Sequence, residues 1–389
     1  MTTSMSRRQF LTVAGSGVVA LTGLAACGST STGAIGPGSP QVRATEAARR
    51  RSGNTTSVNL VASPVVADLA GQEAHTWAYA TGLAGPEIRL QRGDTLDAAV
   101  DNLLPEPTTV HWHGLAIDNA MDGVPDMTQK PIASGASFRY RFVVPDAGTY
   151  WFHSHQGLQL DRGLYGPLVV EDPTEPGVDV DQVLVLDDWL DGIAGTPDQA
   201  LATIRGGMGS MGGTGAGGGG MGSMKRMRSS LLGGDAGDIT YPLHLINGRP
   251  PADRATVMAP PGGKVRLRLI NAGSDTSYRF AVGGHPLTVT AADGRSVQPV
   301  VVDTLVIGMG ERYDVEVIAD PGAWPIVAAA EGKGGAVAAA VLRTTDTVDH
   351  PGFSGESSAW ALLTSVPSRC SRRTCMSAPG FGVREERRT

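Results

Sequence analysis

His111-Trp112-His113-Gly114 and, after a polar turn region, Trp151-Phe152-His153-Ser154-His155 place four of the chain's eight histidines in two His-x-His pairs. Each pair sits in a segment with the composition of a β-strand. Thr108, Thr109 and Val110 lead into the first, and Tyr150, Trp151 and Phe152 into the second. Residues i and i+2 of a strand point to the same face. Each pair therefore presents two imidazoles side by side, and neighbouring strands would gather all four on one patch. Neutral imidazole suits copper, zinc, iron and nickel, so the spacing argues for a metal without naming it. A lone His-x-His is more often two solvated or core histidines. Two such pairs, on aromatic-rich strands in a histidine-poor chain, favour the metal.

Working outward, residues 57–173 read as short strands separated by Gly, Pro, Asn and Asp. Pro86-Glu87-Ile88-Arg89-Leu90 and Leu96-Asp97-Ala98-Ala99-Val100 are strands joined through Arg92-Gly93-Asp94. Phe138-Arg139-Tyr140-Arg141-Phe142 alternates apolar and basic residues, giving one buried and one wet face, and Gly166-Pro167-Leu168-Val169-Val170 reads as a closing strand. The pattern predicts an all-β sandwich.

Residues 174–345 repeat this pattern faintly. Val265, Leu267, Leu269 and Asn271 alternate as Leu96, Ala98, Val100 and Asn102 do, and nine residues beyond each Asn stand Phe280 and His111. Gly322-Ala323-Trp324-Pro325-Ile326-Val327 parallels Gly148-Thr149-Tyr150-Trp151-Phe152-His153, with Val327 at the place of His153 and Ala329 at that of His155. The second copy keeps the strands and lacks the ligands. His244 and His285 are single and read as structural. Residues 205–235 form a low-complexity insert with Met208, Met211, Met221, Met224 and Met227 among glycines, read as a loop with no core of its own. Thioethers are soft ligands for Cu(I), so the insert is either an auxiliary copper-collecting segment or a Gly-rich linker with incidental methionines.

The ordered run His111-Trp112-His113-Gly114-Leu115, Met121-Asp122-Gly123-Val124-Pro125, Thr128-Gln129, Pro131-Ile132 and Gly148 to His155 resembles the first cupredoxin domain of the multicopper oxidases, the laccase-like enzymes. The resemblance implies tandem cupredoxin-like Greek-key β-sandwiches. It also implies copper as cofactor, and oxidation of a phenol or metal ion coupled to reduction of dioxygen to water. By the same resemblance His111 would serve a type 2 copper, His113, His153 and His155 a type 3 pair, and Asp122 would stand where an acidic residue assists proton delivery. Gly310-Glu311-Arg312-Tyr313-Asp314-Val315 is typical of the family's copper-free middle domain.

The chain also departs from that family. In its three-domain members a third domain supplies His-x-x-His-x-His and His-Cys-His runs for the type 1 copper and the rest of the cluster. Residues 1–389 contain neither, and Cys370 and Cys375 have no adjacent histidine. From residue 346 an arginine-rich stretch without apolar periodicity follows. It reads as out-of-frame residues replacing a third domain, the other reading being a basic tail or a small metal site with His350. Four-electron oxidase turnover is then not expected of this chain alone, and the face left by a missing domain invites association. A non-catalytic, extracytoplasmic copper-binding lipoprotein is the other reading.

Ser6-Arg7-Arg8-Gln9-Phe10-Leu11, followed by an apolar run to Ala26, has the twin-arginine export pattern, and Leu24-Ala25-Ala26-Cys27-Gly28 resembles a lipobox. Residues 1–27 are thus a signal, with Cys27 a candidate for lipidation that would anchor the protein to the outer face of the cytoplasmic membrane. Residues 28–56 read as a solvated tether. The net charge of -6 gives no reason to expect nucleic acid, and with no cysteine in either predicted domain no disulfide is expected there.

Overall fold

Alternating apolar residues force the first half of the chain into two facing sheets. The computed structural model describes residues 39–49, 51–80, 82–210 and 227–344. Strands β1 (Thr55–Asp68), β2 (Glu73–Tyr79), β4 (Thr95–Asn102) and β6 (Ser137–Val143) form one sheet in the order β2-β1-β4-β6. Strands β3 (Ile88–Gln91), β8 (Tyr165–Glu171), β7 (Gly148–His153) and β5 (His111–His113) form the other, in the order β3-β8-β7-β5. Leu60, Leu96, Val100, Trp112, Tyr140, Phe152 and Leu168 meet between them and are buried. Packing of this kind stabilises by about 25 cal/mol for each Å² of apolar surface removed from water.

The second sandwich repeats the arrangement on a larger scale. Its strands are β9 (Val180–Trp189), β10 (Leu243–Ile246), β11 (Ala255–Met258), β12 (Lys264–Asn271), β13 (Tyr278–Val282), β14 (Leu287–Ala292), β15 (Arg295–Val302), β16 (Leu305–Ile307), β17 (Arg312–Ile318), β18 (Ala323–Ala330) and β19 (Val337–Arg343). They form sheets in the orders β10-β9-β12-β17-β14-β15 and β11-β19-β18-β13-β16. The repeat extends to side chains. Asn102 closes β4 by donating to the Ile132 and Glu106 carbonyls and accepting from Leu104 N–H, while Asn271 closes β12 on Ile307, Thr276 and Gly273 in the same way.

Strand register corrects the sequence comparison by one residue. Phe280 pairs with Ala328 and lies in the core, whereas Val327 pairs with Ala281. Ala281, not Phe280, therefore takes the place of His111, because the segment after Asn271 is one residue longer. A one-residue slip exchanges the faces of a strand. In the second sandwich the positions of His111, His153 and His155 are filled by the apolar group Ala281, Val327 and Ala329.

Two loop expectations also change. Within residues 28–56, helix α1 (Pro40–Ala47) forms with Ser39 as N-cap and no buried residue, and Ser52 is tied to Gly93 and Asp94. The start of the Met-rich insert, residues 205–210, is the end of helix α2 (Pro197–Ser210). At its far end Ser229 is buried, donating to Glu331 at 2.6 Å.

The sandwiches join along β7 and β8. Trp151, Tyr165 and Val169 pack on Val183, Val185, Ile270 and Ala272. Thr149 Oγ1 donates to Asp314 Oδ1 at 2.5 Å and accepts from Arg268 Nη1 at 3.1 Å. This holds the strand that ends at His153 rigidly against the second sandwich. No described helix is long and apolar enough to cross a membrane.

Candidate metal centre

Strands β5 and β7 run antiparallel with His111 opposite His153 and His113 opposite Trp151. Directly opposed residues share a face, so these histidines project away from the core that takes Trp112 and Phe152. His155 lies just beyond the end of β7, and its N–H donates to Thr109 Oγ1 at 3.3 Å, which continues the register. The His111 ring centre is 5.7 Å from that of His113, 5.4 Å from His153 and 5.2 Å from His155. Ring nitrogens of His111, His113 and His153 lie within 4.8 Å of one another; His155, more exposed, stands beside this group.

Hydrogen bonds on the outer nitrogens fix which ring atom faces the centre. His111 Nδ1 donates to the Asp122 carbonyl at 2.8 Å, with Asp122 Oδ1 at 3.3 Å. A carbonyl only accepts, so the proton sits on Nδ1 and Nε2 keeps its lone pair. His153 Nδ1 donates likewise to the Ser154 carbonyl at 2.8 Å, freeing Nε2. His113 turns its Nδ1 toward that Nε2, 3.2 Å away. Imidazoles oriented through the second ring nitrogen are the usual arrangement of metal-bound histidine.

Electrostatics favour the donor role at three of the four histidines. Burial, then His153, Arg312 and the other histidines, push His113 down to about 3, and burial pushes His153 down to about 4 against the Ser154 hydrogen bond. Burial and His111 lower His155 as well. Burial also acts to lower His111, but the Asp122 hydrogen bonds outweigh it and leave His111 raised. Uncharged imidazole nitrogens crowded together fit a late first-row metal such as copper.

Asp122 reaches His111 through a loop that only glycine permits. A Cβ on Gly123, at φ +78°, would stand 1.8 Å from the Val110 carbonyl oxygen. Asp122 thus orients a ligand through both its backbone and its carboxylate, a role the sequence reading did not assign.

The second pair rests on a buried network that sequence reasoning missed. Gln159, 1% exposed, accepts from Thr108 Oγ1 at 2.6 Å and from Ser154 Oγ at 2.7 Å. Its amide nitrogen donates to the Pro107 carbonyl at 2.8 Å and to Glu106 Oε1 at 3.2 Å. Ser154, between the two histidines, is thereby held in place. The only sequence signal was a glutamine four residues past His155.

His244 and His285 have hydrogen-bond partners of their own. His244 Nδ1 bonds Tyr278 Oη at 2.7 Å, and His285 bonds the Gly283 carbonyl and Asp320 N–H. Met227 Sδ accepts from Thr240 at 3.7 Å, and Met208 is in the last turn of α2. Cys27, Met211, Met221, Met224, His350, Cys370 and Cys375 are outside the described residues.

Comparison with known proteins bears on this face directly. Two multicopper oxidase family models match, over residues 61–175 and 222–347. Multicopper oxidase MmcO of Mycobacterium tuberculosis is 45% identical over 363 residues, covering 92% of this chain and 70% of that protein. Copper resistance protein A of Escherichia coli is 32% identical over 279 residues, of whose length the chain spans about half, 46%. Among solved structures, a multi-copper oxidase from Pseudomonas thermotolerans superposes with a TM-score of 0.60 at 30% identity, over 77% of this chain and 66% of that one.

Proposed function

We propose that this chain, which belongs to the multicopper oxidase family, uses its histidine face as one half of the copper site at which the family reduces dioxygen. The observation that carries this reading is the convergence of ring nitrogens from His111, His113 and His153, with His155 beside them. Copper held there supplies one-electron redox chemistry and a place for dioxygen to bind. His111 serves the type 2 position, and His113, His153 and His155 serve the type 3 pair. Asp122 holds His111 in the binding tautomer and keeps a carboxylate beside the site that can carry a proton.

The remaining ligands come from outside residues 1–389, which contain no His-Cys-His run. β5 is an edge strand and His155 is exposed, so that side is open to a ligand-bearing partner. By itself the chain binds copper without sustained turnover. Together with a segment supplying the missing ligands it oxidises a phenol or a metal ion such as Cu(I). Copper stoichiometry and oxygen uptake, measured with and without such a segment, test this. Loss of copper in the His113→Ala and His153→Ala variants is expected, and full copper retention by both would remove the reading.

The lipobox-like run Leu24-Ala25-Ala26-Cys27-Gly28 favours one second reading, a non-catalytic copper-binding lipoprotein exported by the twin-arginine route and anchored through Cys27. Metabolic labelling with a fatty acid that is lost in Cys27→Ala supports the anchor. Copper uptake without oxygen consumption, even with the complementing segment present, supports the binder.

A further inference from the structure

Among the described residues the second sandwich adds no ligand to the histidine face, yet it brings a buried positive charge to it. Arg312 opens β17 and is 4% exposed. Its Nε donates to the Thr149 carbonyl at 3.4 Å and its Nη1 to the Gly310 carbonyl at 3.0 Å. Its guanidinium abuts Gly114, the residue after His113. A Cβ on Gly114 would come within 2.3 Å of Arg312 Nη2 and 3.1 Å of Cζ. Gly310, in the same segment, covers the ring itself, since a Cβ there would stand 3.2 Å from His113 Cε1. The segment before β17 is thus a wall of the site, with a cation behind one ligand.

The charges that face this guanidinium do not cancel it. Asp293 Oδ1 is 3.0 Å from Nη1, but its side chain is 58% exposed and its field is screened by water. Asp314 is buried and already pairs with Arg268 at 3.1 Å. Glu311 turns back to accept from Gly308 N–H at 2.7 Å.

We propose that Arg312 tunes the copper held by the histidine face, biasing it toward Cu(I) over Cu(II). A fixed cation repels a doubly charged ion by one unit charge more than a singly charged one. At a separation on the order of 8 Å and an effective dielectric near ~20, this amounts to about tenfold once screening by Asp293 is allowed for. The inference rests on the copper-binding reading of the four histidines and deepens it by assigning a redox preference to a residue of the ligand-free domain.

The test is competition titration of the whole chain with Cu(I) alone and Cu(II) alone, for wild type, Arg312→Met, Arg312→Lys and Asp293→Asn, with the His113→Ala/His153→Ala variant titrated in parallel to subtract copper taken elsewhere, and with thermal melting as a folding check. The ratio of Cu(II) to Cu(I) affinity is expected to rise about tenfold in Arg312→Met and to return toward wild type in Arg312→Lys. It should fall by a smaller factor in Asp293→Asn, which keeps the test open if Arg312→Met does not fold. Equal loss of both affinities in Arg312→Met would mark a packing role and overturn the proposal, as would a ratio unchanged in Arg312→Met, or in Asp293→Asn should that be the variant that folds. Failure of wild type to bind either ion would instead remove the copper site itself.

Discussion

Replacing Gln159 by Leu keeps a similar volume and deletes every polar contact of a side chain that uses both ends of its amide. Four hydrogen bonds disappear: from Thr108 and Ser154 to Oε1, and from Nε2 to Pro107 and Glu106. At about 1 kcal/mol net for each of three neutral bonds, and at least as much for the part-exposed one to the Glu106 carboxylate, the loss would approach ~4 kcal/mol. The hydroxyls of Thr108 and Ser154 retain a 3.3 Å contact with each other, which recovers part of it. We expect about 3 kcal/mol of destabilisation, or a melting temperature lower by about 10 °C for a domain of this size. Copper binding should fall by about 10-fold to 100-fold, as when outer-shell support of a metal ligand is removed. Calorimetry of the metal-free chain and copper competition measure the two effects. A melting point within about 2 °C of wild type would falsify the account of this network. Gln159→Glu gives a control: it keeps the acceptor but sets a carboxylate against the Pro107 carbonyl and Glu106. Its loss at pH 7 should shrink as pH falls and the introduced acid is protonated.

Burial leads the causes that raise the Asp161 carboxyl to about 6, with Asp188 and Asp191 adding to it and Ser274 and Tyr241 opposing. The folded state therefore holds a proton that the unfolded state releases near pH 3.8, so this group makes stability fall as pH rises between about 4 and 6. Asp161→Asn should be more stable than wild type at pH 7 by about 1–3 kcal/mol, with the gain gone below about pH 4; denaturant melts across that range would show an equal gain at every pH if the cause lies elsewhere. Asp122→Ala should weaken copper binding by about tenfold because His111 loses its carboxylate partner, and Asp122→Asn by less; titrations giving equal losses for both would point to charge rather than orientation. Deleting residues 211–226 should weaken Cu(I) capture and leave the histidine site intact, and an unchanged Cu(I) titration would make the methionines incidental.

Much of this was legible because strand geometry is a local rule. The alternation in Leu96-Asp97-Ala98-Ala99-Val100 and Phe138-Arg139-Tyr140-Arg141-Phe142 marked β4 and β6, and the aromatic residues around each His-x-His marked β5 and β7. Less legible were α1, which buries nothing and carries no apolar stripe, and the first strands, β1 and β2. The internal repeat was visible but misregistered by one, since a count along the chain cannot see a one-residue difference in loop length that face and pairing reveal.

The sequence by itself determined that two strands carry paired imidazoles, because side-chain alternation follows from the backbone of each strand alone. Only the tertiary structure decided that those strands are neighbours, with His111 opposite His153. It also decided that Gln159 and Asp122 hold the two pairs from different sides, and that Arg312 reaches the face from the other sandwich, 199 residues after His113 in the chain. Such contacts join residues far apart in sequence, and only the packing of whole sheets sets the distances between them.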